Sequence, residues 1–314
     1  MKKMNIILLK ERLFKLWNEP KALRRFLLRH YFFGFFEKFG IHTIADHFYE
    51  PIPNISWIKK NYDENKLFFP AGTKWDFANI ELSVSKAITE YGGEFTAETD
   101  QQGYRDNYYF FGWDALCLYT YLRSKKIKTV VEIGQGFSTL IHLAALGKNR
   151  SAHKVATKFI SIDPYSRLES QQSSANSSEV SIECKRVQEV DAEKLLSLLG
   201  PYTLLFVDSS HVYKTGSDVE FLMREVYPYL PSGTHLHIHD IYSPYPWPKK
   251  NFVERKWFWN EQDMLEQFLA FNEHFSLELP AYWLYKNNNI LRHQVTKLRT
   301  DLFCEGYGFY LRKK

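Results

Sequence analysis

The stretch 129–146 limits what this chain can fold into more than any other part of it. Residues 129–133 (TVVEI) form a short apolar run rich in β-branched side chains, the signature of a buried strand. Gly134, Gln135 and Gly136 then turn the chain, and residues 138–146 read as a helix. A strand, a glycine turn and a helix in direct succession make the opening half of a βαβ unit. Such a unit needs a mostly parallel sheet with helices packed on it.

The same alternation continues downstream. Strands are expected at 158–162, 180–184, 202–207 and 234–239, with helices at 191–199 and 218–229 between them. A helix at 261–272 then precedes strands at 275–285 and 308–312. The expected fold is α/β: a Rossmann-like, seven-stranded, mostly parallel sheet with one antiparallel strand and helices on both faces. Upstream, a helix is expected over 113–124, and residues 54–110 form an aromatic lead-in without a clear period. The polar stretch 169–179 reads as a surface loop. The expected organisation is a basic helical segment (1–50), a lead-in lobe (51–112) and the sheet domain (113–314).

Charge is concentrated at one end. Residues 1–40 carry ten Lys/Arg against three acids, a local +7, whereas the whole chain is +5 and the remainder therefore −2. Residues 4–39 interleave these charges with apolar residues at helical spacing, which predicts one or two amphipathic helices broken near Pro20. Packing on the sheet domain ranks first for this segment, and peripheral contact with an anionic membrane through residues 1–40 ranks second. Nucleic acid is not an expected partner, because the rest of the chain is slightly acidic. Three scattered cysteines show neither disulfide nor metal spacing, which with no evident signal peptide suggests a cytoplasmic protein. No apolar run of membrane-spanning length is present.

The chemistry-bearing residues gather at the ends of the expected strands. Glu132 stands two residues before Gly134, and Gly136 and Ser138 follow in the turn. In an open α/β sheet, ligands bind beyond the carboxyl ends of the strands where their order reverses. A dinucleotide fingerprint asks for a small residue where this chain has Thr139, and for an acid about 20 residues on. Here the next strand-end acid is Asp163, 27 residues beyond Gly136. On the residues alone a dinucleotide enzyme, a structural glycine turn and a silent binding module stay open.

Glu132-x-Gly134-x-Gly136, with Asp163 after the second strand and Asp208 after the fourth, resembles the class I S-adenosylmethionine-dependent methyltransferases. The resemblance covers roughly residues 113–314. The blocks 206–213 (FVDSSHVY), 231–240 (PSGTHLHIHD) and 259–268 (WNEQDMLEQF) resemble a bacterial subgroup met in glycan and natural-product O-methylation. The resemblance implies a cofactor site built from Glu132, Gly134, Gln135, Gly136, Ser138, Asp163 and Asp208. Asp163 would accept from the two ribose hydroxyls, and Asp208 would stand near the sulfonium.

A hydroxyl acceptor must lose its proton, because an alcohol is a poor nucleophile at neutral pH. His211, three residues after Asp208, is the expected general base, with Asp208 and Asp240 as its catalytic neighbours. Catechol-type relatives hold magnesium with an Asp after the fourth strand and an Asp-Asn pair after the fifth. Asp208 and Asp240 match part of that set, but His239 replaces an oxygen ligand, so magnesium is left open. His239, Tyr242 and Trp247 are the expected substrate residues. The aromatic-proline loop 242–248 (YSPYPWP), in a chain that is 17% aromatic, suits a sugar or other small-molecule acceptor.

Overall fold

The computed structural model describes residues 26–47, 49–101, 107, 109–165 and 180–314. The loop expected over 169–179 and most of the basic amphipathic segment lie outside these residues. The chain divides into two compact units.

The smaller unit comprises residues 1–62 and 249–258. A π-helical turn (Leu28–Phe32) runs into α1 (Phe33–Glu37), which buries none of its side chains. α2 (Ile55–Asn61) is capped by the Asn54 side chain, which accepts from the Trp57 amide, and it buries only Ile58. A second π-helical turn spans Asn251–Arg255.

The larger unit holds the sheet. Its elements are α3 (Phe77–Gln101), α4 (Gly112–Ser124), β1 (Thr129–Ile133), α5 (Ser138–His153), β2 (Lys158–Ile162), β3 (Val180–Glu183), α6 (Ala192–Ser197), β4 (Thr203–Val207) and α7 (Asp218–Phe221). There follow β5 (His235–Ile238), α8 (Glu261–Leu269), β6 (Phe275–Pro280), α9 (Ala281–Asn287), α10 (Asn289–Leu298) and β7 (Phe309–Lys313). The strand order is β3-β2-β1-β4-β5-β7-β6. β1 to β5 pair in parallel, and β7 runs antiparallel to both neighbours. This is the seven-stranded, mostly parallel sheet expected. The order reverses between β1 and β4, so that pair of strand ends is the switch point at which a crevice opens.

Each face of the sheet has its own core. Val130, Phe159, Leu204, Phe206 and Tyr310 point to the face covered by α3, α4 and α5. Val131, Ile160, Leu205, Leu236 and Ile238 point to the other, covered by α6, α8 and residues 219–230. The one-residue alternation is that of strands buried on both sides. α4 is apolar or satisfied almost all round and buries twelve of its residues, as a helix sandwiched inside the fold must.

The structure departs from expectation in three stretches. The lead-in 54–110 contains α3, whose buried Ile80, Val84, Ile88 and Phe95 follow a helical period. The strand expected to reach residue 285 ends at Pro280, and α9 follows. Ala281 and Leu284 are buried there at i, i+3 spacing. Helix α5 runs to His153, seven residues past its expected end, because Arg150 and His153 carry the helix beyond its apolar part.

Candidate functional site

The turn after β1 and the end of β4 cross at contact distance. Gly134 has φ +87°, and a Cβ built on it would lie 1.8 Å from the Asp208 carbonyl oxygen. Only glycine fits there. The crossing is held by the Asp208 amide, which donates to the Ile133 carbonyl at 2.9 Å. Beside it opens a cleft of about 380 Å³ lined by Gly134, Gln135, Asp163, Asp208 and, among others, Arg186 and Asp218.

Asp163 ends β2 with its carboxylate fixed in place. Oδ2 accepts from the Gln135 amide at 2.7 Å and Oδ1 from the Tyr165 amide at 2.6 Å. Each oxygen keeps a lone pair for a ligand hydroxyl. Asp218, which sequence reasoning missed, lies at the start of α7 and holds the loop after β4. Oδ2 accepts from the Ser210 amide at 2.9 Å, and Oδ1 accepts from the Ser210 hydroxyl. The signal available in the sequence was Ser217-Asp218 opening a helix.

Three of the expected cofactor residues, Glu132, Gly136 and Ser138, do not line the cleft. Glu132 is fully buried on the α5 side of β1. It accepts from the Ser138 hydroxyl at 2.8 Å and the Thr139 hydroxyl at 2.6 Å, and it lies 3.1 Å from His142 Nδ1. Ser138, 2% exposed, is likewise spent on Glu132. Their role in this geometry is to fasten the first turn of α5 to β1 and so hold the glycine turn open. Gly136 faces open space.

Next to the cleft the loops after β4 and β5 bring Asp208, His211 and Asp240 together, with ligand atoms all within 4.8 Å of one another. His211 and Asp240 both take left-handed backbone conformations, φ +58° and +57°. Strain of this kind in non-glycine residues concentrates at functional sites. His211 Nε2 lies 3.3 Å from Asp208 and 3.5 Å from Asp240, while Nδ1 lies 2.9 Å from Glu261 Oε2 and donates to it. Burial alone would lower the His211 pKa. The bonds to Asp208 and Glu261, with the charges of Glu261 and Asp240, outweigh it and carry the imidazole well above its usual value. Burial also pushes Asp208 up, but His239 and His211 hold it below the ordinary range.

The general base expected at His211 thus stands with a carboxylate at each ring nitrogen. An imidazolium gripped by carboxylates at both nitrogens has no lone pair with which to take a proton. With the Nε2 proton displaced, the same three groups suit a divalent cation. Two carboxylate oxygens and one imidazole nitrogen converge, and Glu261 orients the ring from behind through the other nitrogen, as in carboxylate–histidine–metal triads. A mixed N/O set favours manganese- or cobalt-like ions over magnesium, which prefers oxygen alone.

The expected substrate residues are set further back. His239 is 5% exposed, lies 3.8 Å from Asp114 and packs on Phe110. It shares its sheet face with His235, whose Nδ1 lies 2.7 Å from the Tyr121 hydroxyl, and with His237, which stacks on His239 itself with Nε2 3.4 Å from His239 Nδ1. Burial would lower the pKa of His239, but Asp114, Asp208 and Asp240 raise it. Tyr242 and Trp247 are nearly buried. Trp247 bridges Tyr242 at 5.3 Å and Trp259 at 5.2 Å, and Trp259 lies against the His211 ring at 4.4 Å. They form one continuous aromatic belt that ends on the site histidine. Gln262 ties the belt to α8, accepting from the Tyr242 amide and donating to the Tyr245 carbonyl, each at 2.8 Å.

Comparison with known proteins agrees with this geometry. Residues 131–241 match a family described as a methyltransferase domain. That segment runs from β1 past β5 and so contains the glycine turn, Asp163, Asp208, His211 and Asp240. The match supports a class I, S-adenosylmethionine-dependent methyltransferase domain. The chain is also similar to an uncharacterized protein of Archaeoglobus fulgidus, 29% identical over 131 residues, which are 38% of this chain and 57% of that relative. The chain thus spans little more than half the length of that relative.

Proposed function

We propose that this protein transfers a methyl group from S-adenosylmethionine to a hydroxyl of a sugar or other small polyhydroxylated molecule. The observation that carries the reading is the pairing of two sites at one switch point. The Asp163 carboxylate faces the glycine-turn cleft, and the Asp208–His211–Asp240 cluster stands at its mouth.

The cofactor supplies an electrophilic methyl on sulfur, and an acceptor oxygen displaces it in line. Gly134 gives a bound ligand close approach to the backbone. Asp163 accepts from vicinal ribose hydroxyls while Gln135 and Tyr165 hold it still. Positioning is the protein's main contribution to a displacement of this kind, and well-oriented pairs gain up to ~7–11 kcal/mol from it. The acceptor proton passes to an Asp240 carboxylate oxygen. His211, protonated and anchored by Glu261, steadies the negative charge that gathers there. A divalent cation held by Asp208, Asp240 and His211 Nε2 would take the place of the Nε2 proton and supply Lewis acidity that makes an acceptor hydroxyl easier to ionise. The Tyr242–Trp247–Trp259 belt gives the acceptor side a rigid aromatic wall, and such faces suit sugar rings.

The test is a methyl-transfer assay on a panel of sugars and other small hydroxylated compounds, with His211→Ala and Asp240→Asn as controls. Turnover on a hydroxylated small molecule that falls at least about a hundredfold in both variants, with cofactor affinity nearly unchanged, supports the reading. Turnover confined to proteins or nucleic acid contradicts it.

A further inference from the structure

We infer that the described part of the smaller unit, within residues 26–62 and 249–258, is a docking surface for an anionic phospholipid bilayer. Three observations carry this.

The first is charge. Among its described residues this unit holds eight Lys/Arg against four Asp/Glu, a net +4, whereas the sequence of the larger unit carries 25 against 30, or −5. The basic excess extends beyond the first forty residues. Lys59, Lys60, Lys249, Lys250, Arg255 and Lys256 come from two chain segments distant in sequence that the fold joins in one unit.

The second is exposed aromatic surface. Tyr31, Phe35, Phe39 and Trp57 are 65%, 57%, 67% and 59% exposed, and Phe32 and Trp257 are exposed as well. The unit is under a quarter of the chain, yet it carries ten of the 23 large hydrophobic residues exposed among those described. A soluble surface rarely leaves so many rings uncovered.

The third is how the rings are carried. α1 buries nothing and α2 only Ile58, so these helices present side chains outward rather than to a core. No described helix is long and apolar enough to cross a membrane. Exposed aromatic rings among Lys and Arg are the chemistry of the headgroup boundary, where rings sink to the acyl edge and cations pair with lipid phosphates.

The experiment uses the full chain with phosphatidylcholine vesicles, with and without phosphatidylglycerol, read by co-sedimentation at low and high salt. Two double variants are compared: Phe35→Ser with Phe39→Ser, and Lys249→Ser with Lys250→Ser. Circular dichroism checks that each is folded, and light scattering gives its mass. The inference expects binding to the anionic vesicles only, screened by salt and weakened about tenfold or more in each variant, with mass unchanged. Equal binding to neutral vesicles, or none to anionic ones, overturns it. So does a wild-type dimer that the Phe variant converts to a monomer without changing vesicle binding, because the rings then cover a second copy of the chain.

Discussion

Gly134 and Asp208 meet backbone to backbone, with no room for a side chain between the end of β1 and the end of β4. A Cβ at position 134 would stand 1.8 Å from the Asp208 carbonyl oxygen, at a φ of +87° that suits glycine. The glycine therefore sets how close the two strand ends come, and with it the shape of the cleft and the aim of the Asp208 carboxylate. Gly134→Ala is expected to cost about 3 kcal/mol or more, because main chain must move rather than a flexible side chain. Chemical denaturation reads this. A change below ~1 kcal/mol would show that the strand ends are not pressed together.

Glu132 is expected to act through stability. Its carboxylate is the shared acceptor for Ser138 and Thr139 beside His142 in a fully buried layer. Glu132→Gln places an amide where only acceptors are wanted, and should cost ~2–4 kcal/mol. In a variant kept folded by low temperature, cofactor affinity should be close to wild type. A stable protein that has lost cofactor affinity alone would mean that Glu132 touches the ligand.

Glu261 is a positioning residue for His211. It holds Nδ1 at 2.9 Å and leaves Nε2 facing Asp208 and Asp240. Glu261→Gln should lower turnover about ten- to a hundredfold, the range found when such supporting partners are removed. Its affinity for S-adenosylhomocysteine should stay within about twofold of wild type, and its response to added manganese should weaken along with turnover. Unchanged turnover would remove Glu261 from the site.

Glu266 provides a pH test away from the cluster. Burial, with the charge of Asp263 added, pushes its pKa from the ordinary 4.5 to about 7, against its bonds to Ser243 and Gln262. The folded state thus keeps a proton that the unfolded chain releases. The stabilising contribution is full below pH 4.5 and is lost as pH rises through about 7. Because the side chain is partly solvated, its size is capped at ~2 kcal/mol. Glu266→Gln should therefore stabilise the protein at pH 8 relative to wild type and have little effect near pH 4. Denaturation midpoints at the two pH values check this, and a larger gain at pH 4 would reverse the assignment.

The sheet was legible because its strands are short β-branched runs with clear stops. β1 and β2 begin and end at the residues that the sequence marks, and the glycine turn marks the switch point. α3 went unread although its buried Ile80, Val84 and Ile88 keep a helical period, because aromatic residues fill the positions around it. α9 was hidden for a different reason. Its residues have good strand propensity, and what ends β6 is Pro280, after which Ala281 and Leu284 turn inward. At the site, the strand-end carboxylates could be named from position alone. The raised pKa of His211 could not, because Glu261, which adds to the effect of Asp208, lies 50 residues away and is brought close only by the packing of α8. The spacing of Glu132 and the glycines likewise points to a ligand site without showing that the acid faces away from it.

The most direct test of the account is calorimetric titration of the full chain with S-adenosylhomocysteine, beside Asp163→Ala and beside NAD. The account predicts saturable binding of S-adenosylhomocysteine, at least about tenfold weaker in the variant, and no binding of NAD at the same concentrations. Wild-type protein that takes up no adenosyl ligand at millimolar excess, or that prefers NAD, would contradict it.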